Sequence, residues 1–383
     1  MPSSSPVQLA MVAGESSGDQ LAADLVKGAR LRYPDLTAHG IAGEAMVREG
    51  VTAWWSSQSL AVRGYFEPIR HLPRIIKMRS DFISRLQVVP PDVFIGVDAP
   101  DFNLGLETKL RASGIKTMHY VSPSIWAWRP KRIEKIRAAA DHVLLIFPFE
   151  TQIYKDAGIA ATYVGHPFAS HIPLVANPAA AREALQLSLD QTVIALLPGS
   201  RHSEIEYNAP NFFKAAVILA EQLGDVQFIL PVAHDKLRDK IMALRAIHAP
   251  NISLRLLDGQ ARSAMEASDA VLVASGTASL EVSLYKKPMV ISYKTSVVSA
   301  WLYRKVALQP WIGLPNILLN DAFIPEVLQN DATPENLAHT LLHEMERYAT
   351  DGSVVSRLHE LHHSLIRDTP SVCAHAISQV MGR

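Results

Sequence analysis

Leu196-Leu197-Pro198-Gly199-Ser200-Arg201 runs from an apolar stretch through a glycine turn to a guanidinium, with Glu204 one turn further on. Such a junction can grip a diphosphate: the turn's N–H groups orient the anion and the arginine neutralises it. A second junction, Ala274-Ser275-Gly276-Thr277-Ala278-Ser279-Leu280-Glu281, opens a helix whose N-terminus can also face phosphate. Gly199, Ser200, Arg201, Ser275, Gly276 and Thr277 are therefore the expected anion-binding set. Glu281 follows Thr277 by four residues, on the same helix face, and a carboxylate there is placed to hold a ribose diol.

The first half of the chain carries softer signals. Ala13-Gly14-Glu15-Ser16-Ser17-Gly18-Asp19 follows an apolar run and opens a helix, so its N–H groups can meet an anion or sugar oxygens, or the run is a capped strand-to-helix turn. The spacing is not G-x-G-x-x-G, which argues against a nicotinamide enzyme. In Gly96-Val97-Asp98-Ala99-Pro100-Asp101-Phe102-Asn103 a strand ends in two carboxylates. Asp98, nearest the strand, can take a proton from a sugar hydroxyl, and Asp101 reads as a helix cap. Tyr120-Val121-Ser122-Pro123-Ser124-Ile125-Trp126-Ala127-Trp128-Arg129 suits a carbohydrate or acyl wall, or simple packing under a loop. His166 before Pro167 reads as structural, and Leu314-Pro315-Asn316 ahead of Pro325-Glu326 is turn chemistry. His359, His362 and His363 have the spacing of metal ligands on a helix, but no H-E-x-x-H accompanies them, and no metal is expected.

These residues need rigid elements behind them. Short apolar runs at 7–13, 93–97, 116–121, 142–146 and 161–164 alternate with helical patterns, as in a parallel, doubly wound sheet. A second series begins after a Pro- and Ala-rich stretch, with strands expected at 193–197, 227–231, 253–257, 270–274 and 289–293. The expected organisation is a first α/β domain over 1–166, a linker over 167–181, a second over 182–333 and a helical tail over 334–383. A chain of 383 residues suits two domains.

Lys and Arg balance Asp and Glu at 37 each, so the whole chain offers no electrostatic case for nucleic acid. The single cysteine, Cys373, cannot form an intramolecular disulfide, which fits a reducing compartment. The first residues lack the basic region of a signal peptide, and no apolar run reaches the ~20 residues of a membrane span. A cytoplasmic protein with at most peripheral membrane contact is expected.

AGESSGD, GVDAPDFN, YVSPSIWAWR, FPFE, VGHP, LLPGSR, ASGTASLE and LPN occur in an order that resembles the lipid-A-disaccharide synthase family, from about residue 13 to 326. The resemblance implies a GT-B type α/β fold, with two doubly wound Rossmann-like domains facing a cleft and a helical C-terminal tail. It implies an inverting transfer from UDP-2,3-diacylglucosamine to 2,3-diacylglucosamine 1-phosphate through a β-1,6 bond, without a metal or cofactor. Asp98 would be the base, and Arg201 with the Gly276–Thr277 helix start would stabilise departing UDP. Glu281 would hold ribose, while Glu15, Ser17 and Asn316 would line the cleft. A place on the inner face of the inner membrane follows, and the resemblance leaves room for a homodimer.

One segment departs from the family pattern: an M-G-x-x-E-V-like stretch is here Arg63-Gly64-Tyr65-Phe66-Glu67-Pro68-Ile69. Phe66, Ile69, Leu72, Ile75 and Ile76 recur near helical spacing, interrupted by Pro68 and Pro73 and interleaved with Arg63, Arg70, Arg74, Lys77 and Arg79. An apolar stripe flanked by cations reads as an interfacial helix on anionic lipid, against the commoner helix with a solvated basic face. Competing readings are another UDP-sugar enzyme of the same fold, such as a UDP-GlcNAc 2-epimerase, and a non-catalytic membrane-associated binding protein.

Overall fold

The computed structural model describes residues 6–14, 16–60 and 68–383, with backbone alone at 16 and 68–72. The chain divides into two compact units: residues 1–167 with 365–383, and residues 168–364.

Unit 1 holds seven parallel strands: β1 (Gln8–Ala13), β2 (Thr37–Ala42), β3 (Thr52–Ser56), β4 (Val93–Val97), β5 (Lys116–Tyr120), β6 (His142–Leu145) and β7 (Ala161–Tyr163). Their order is β3-β2-β1-β4-β5-β6-β7. Strand β4 is buried along its whole length and β1 along all but its first residue, as expected for central strands covered by helices on both faces. Ala13 lies in register with Val97, so the two strands end side by side.

Unit 2 holds six parallel strands: β8 (Thr192–Leu197), β9 (Val226–Val232), β10 (Leu254–Asp258), β11 (Ala270–Ala274), β12 (Met289–Tyr293) and β13 (Glu326–Leu328), in the order β10-β9-β8-β11-β12-β13. Val273 pairs with Leu197. In both sheets the chain first winds outward one way and then steps back to wind the other, between β1 and β4 and between β8 and β11. The carboxyl ends of such neighbours leave an uncrossed crevice, the place where open α/β sheets take ligands. Two Rossmann-like sheets were expected, and two are found.

The 334–383 stretch is helical throughout, but it serves both units. Pro334–Thr350 packs on the second sheet and on the His202–Leu223 helix, while Thr369–Met381 packs on Ser16–Arg32 of unit 1. The reason is apolar: Cys373, Ala376 and Ile377 are buried in the core around β1. The 167–181 stretch, expected as a linker, is folded with unit 2 and includes most of the Pro178–Ala184 helix. Buried Arg182 anchors it, donating to the Ala267 carbonyl at 2.9 Å and to Asp269 at 2.6 Å.

Gly28 sets how closely the last helix approaches. A Cβ there would lie 2.4 Å from Pro370 Cβ and 2.5 Å from its Cα, and backbone cannot swing aside as a flexible side chain can. Gly28→Ala should therefore force the helices apart and destabilise unit 1 by about 1–3 kcal/mol. Urea unfolding followed by circular dichroism reads this, and an unchanged midpoint would show that the helix pair yields freely.

Candidate functional site

At the β8 end of unit 2, Gly199 takes φ +129°, and a Cβ on it would sit 2.4 Å from Glu204 Cβ. Only glycine allows the turn to close this tightly. Glu204 then fixes the turn from the first coil of the His202–Leu223 helix. Its Oε2 accepts the N–H groups of Ser200 (2.8 Å) and Arg201 (3.1 Å), and its Oε1 accepts from Arg201 Nη1 at 3.0 Å. Arg201 nonetheless remains 79% exposed. Glu204 thus acts on the backbone and directs the guanidinium.

Beside it, the β11 end turns through Gly276 at φ +146° into the Thr277–Leu284 helix, with Gly276 and Thr277 exposed. Ser275 donates its hydroxyl to the Ile312 carbonyl at 3.0 Å. Arg201, Glu204 and Ser275 share a cavity of about 700 Å³ with Tyr293, Tyr303 and Gln309. Of the set expected from sequence, Arg201 and Ser275 line this cavity, while Gly199, Ser200, Gly276 and Thr277 are not among its lining residues.

Two expected residues sit differently. Asn316 is fully buried: its Nδ2 donates to the Ile324 carbonyl and Glu326 Oε1, and its Oδ1 accepts from Ile324 N–H. Nothing of it is left for a ligand. It supports Glu326, whose two oxygens accept the N–H groups of Ile312 and Gly313 at 3.0 Å and so hold the cavity's 312–313 wall. The carboxylate role of Glu326 has no local signal in the sequence, where only Pro315-Asn316 reads as turn chemistry. Glu281 lies outside the cavity lining and accepts from Arg262 Nε at 2.8 Å. Burial raises its pKa, against the pull of Arg262.

In unit 1 the β4 end leaves Asp98 and Ala99 at φ 52° and 42°, consecutive left-handed residues without glycine. Such backbone stores strain, which clusters where function constrains the chain. Asn103 holds it by donating Nδ2 to the carbonyls of Val97 (3.2 Å) and Asp98 (2.8 Å), and the Asp98 side chain is left half-buried. A Cβ on Gly14, after β1, would lie 3.0 Å from Ala99 and one on Gly18, in the Ser16–Arg32 helix, 3.7 Å from Asp98, so the β1 and β4 ends adjoin. Ser17 is exposed there, whereas Glu15 lies outside the described residues. Asp19 turns away: it is buried and accepts from Gly43, Ala45 and Met46 N–H, capping the Glu44–Arg48 helix. Asp101 does not cap its helix, since Ala99 holds that position. It is exposed and paired with Arg132.

Further along the same edge, motifs from three strand ends interlock. Trp126 donates Nε1 to Glu150 Oε1 at 3.2 Å and meets Phe147 and Phe149 edge-on, while His166 packs on Phe147 at 5.2 Å between centroids. Trp126 is a packing residue. Trp128 is 40% exposed, with the Arg129 guanidinium 3.8 Å above its ring. Burial drives His166 down to about 3, so it is neutral at ordinary pH.

Of the expected lipid-facing stripe, Phe66 lies outside the described residues, as do the side chains of Ile69 and Leu72. Ile75 is half-buried and Ile76 is 58% exposed. Pro68 opens the Pro68–Val88 helix and Pro73 lies within it, so neither breaks it. The helix is anchored by Met78, Phe82 and Leu86, which are buried against the sheet. No described helix is long and apolar enough to cross a membrane. His362 is buried between Lys286 Nζ (2.6 Å) and the Ala169 carbonyl (3.0 Å).

A family model described as lipid-A-disaccharide synthetase matches residues 9–377. The chain is 48% identical over 387 residues to the lipid-A-disaccharide synthase of Albidiferax ferrireducens, covering 98% of this chain and 97% of that one. Among solved structures it is similar to a glycosyltransferase from Rickettsia africae (TM-score 0.58, 12% identity, 98% of both chains). It is also similar to S. aureus MnaA with UDP (TM-score 0.64, 11% identity, 95% of this chain and 94% of that one). At such identities the structural likeness speaks for the fold alone.

Burial pushes Glu150 up to about 7, opposed by hydrogen bonds from Ser122, the Phe147 N–H and Trp126. The folded state thus keeps a proton that the unfolded carboxyl releases near 4.5. The stability this contributes is complete below about 4.5 and is lost as pH rises to about 7, by up to about 3 kcal/mol. Glu150→Gln should remove that slope, so its loss of stability between pH 5 and pH 8 should be about 2–3 kcal/mol smaller than in the parent. Equal slopes in urea titrations would mean that Glu150 is ionised in the fold.

Proposed function

The chain belongs to the lipid-A-disaccharide synthetase family, a family of glycosyltransferases, and on that premise we propose that it condenses UDP-2,3-diacylglucosamine with 2,3-diacylglucosamine 1-phosphate. The products are the β-1,6-linked disaccharide 1-phosphate and UDP. The observation that carries this reading is that Arg201 and Ser275, one from each glycine turn, line one cavity at the strand-order reversal of unit 2.

The transfer is a single displacement. The acceptor 6-hydroxyl oxygen forms a bond to the donor's anomeric carbon from the face opposite UDP, and the anomeric C–O bond to the diphosphate breaks with its electron pair leaving on UDP. An α-linked donor therefore gives a β-linked product. Asp98 takes the hydroxyl proton, and its fixed backbone aims the carboxylate without loss of entropy at the moment of reaction. Charge growing on the departing diphosphate is met by Arg201 and by the start of the Thr277–Leu284 helix. Glu281 holds ribose when Arg262 shares it, and Ser17 meets the acceptor side. The enzyme works at the inner face of the inner membrane, where both lipids reside.

Disaccharide formation from the two diacyl substrates tests the reading directly, and its absence with folded protein would reject it. Asp98→Asn should lower kcat by about 10²–10⁴ with UDP affinity unchanged. Arg201→Ala should weaken UDP binding by about 1.5–3 kcal/mol, about 10- to 100-fold, as seen by calorimetry. If Asp98→Asn weakens UDP binding instead, the carboxylate belongs to the donor site.

A further inference from the structure

The Val297–Val306 helix of unit 2 has no buried residue. Val297, Val298, Trp301, Leu302 and Val306 follow one another at helical spacing along one face, and all are exposed, Val297 by 85% and Trp301 by 54%. Leu308 continues the stripe just beyond the helix. A helix in water ordinarily turns such a face to a core, so this one is built to be covered. The opposite face supplies Ser299, Ala300, Tyr303 and Arg304 to the 700 Å³ cavity that also holds Arg201 and Ser275.

Charge identifies the cover. Arg304 and Lys305 are exposed on this helix, and Lys305 Nζ lies 3.8 Å over the Trp301 ring. No Asp or Glu occurs between Glu281 and Asp321. A second copy docking this face on itself would bring cations against cations with no carboxylate in the segment to receive them. An anionic bilayer offers the reverse: hydrocarbon for the apolar stripe, phosphate for Lys305, and a headgroup boundary for Trp301.

We propose that the Val297–Val306 helix is an anionic-lipid docking surface of unit 2, separate from the Arg63–Arg79 stretch of unit 1. The proposal deepens the function proposed above and rests on it for its purpose. A donor lipid can keep its acyl chains in the bilayer while its diphosphate reaches Arg201 across a single helix diameter, about 10 Å.

Flotation of the full chain, without substrates, on phosphatidylcholine vesicles with and without phosphatidylglycerol tests this. The parent should float with the anionic vesicles. Val298→Ser/Leu302→Ser/Val306→Ser should lower that partition about tenfold. Lys305→Glu should lower it on anionic vesicles alone, as raised salt does. UDP affinity, measured by calorimetry, should stay at the parent value in both variants and certifies their fold. Parent-like flotation of both variants overturns the proposal, as does complete loss of binding in Ile76→Ser while the triple variant floats normally. A change in sedimentation without a change in flotation would assign the face to a second copy and also overturn it. Protein that floats through this face yet forms no disaccharide would reject the reaction and leave the docking surface standing.

Discussion

The reversal of strand order beside β1 and beside β8 is the constraint from which the rest of the site follows. All strands of each sheet run parallel, so every carboxyl end lies on one edge. Only where the winding changes direction do two adjacent ends leave that edge uncrossed by a connection. Gly14, Ser17 and Asp98 occupy that place in unit 1, and the 199–201 and 275–277 turns occupy it in unit 2. Glycine at φ +129° and +146° lets both unit 2 turns close, and at the first of them the Ser200 and Arg201 N–H groups are spent on Glu204, which leaves the guanidinium as the exposed charge.

Much of the acidic chemistry near these edges is spent on shape. Asp19 holds a helix start, Glu204 holds the arginine turn, and Glu326 holds the opposite cavity wall with Asn316 behind it. Glu107 and His119 form a fully buried pair at 2.7 Å beneath β4, in space that Gly96 leaves open. A buried carboxylate without partners would cost several kcal/mol, so each of these four is tied to N–H or imidazole groups. Asp98 differs: its backbone is held by Asn103, and its side chain is left half-buried at the surface of the edge.

The strands most legible in the sequence were the central ones. Runs read at 93–97, 270–274 and 289–293 match β4, β11 and β12 to the residue, because buried parallel strands are continuous apolar stretches. The strands at Thr37–Ala42 and Thr52–Ser56 escaped notice, since their mixed burial mingles Thr, His, Gly and Ser with apolar residues. β13, three half-buried residues long, had too little pattern to see. The two strand–glycine–helix junctions of unit 2 were legible because glycine turns after strands announce themselves locally. The role of Asn316 was not, because it depends on Glu326 ten residues later, and Glu150 looked like one letter of a motif until burial made it a proton holder. The apolar face of Val297–Val306 likewise needs the fold: only three dimensions show that it is exposed among the described residues.

The return of the Thr369–Met381 helix to the first unit also bears on how the chain folds during synthesis. Domains made first ordinarily fold first. Here the core around β1 stays open on one side until Cys373, Ala376 and Ile377 have been made, after the whole of residues 168–364. Unit 2 is a continuous insertion and can close while unit 1 waits. The half that emerges earliest is therefore the last to be completed, and its unfinished apolar face is the part of a nascent chain most in need of protection.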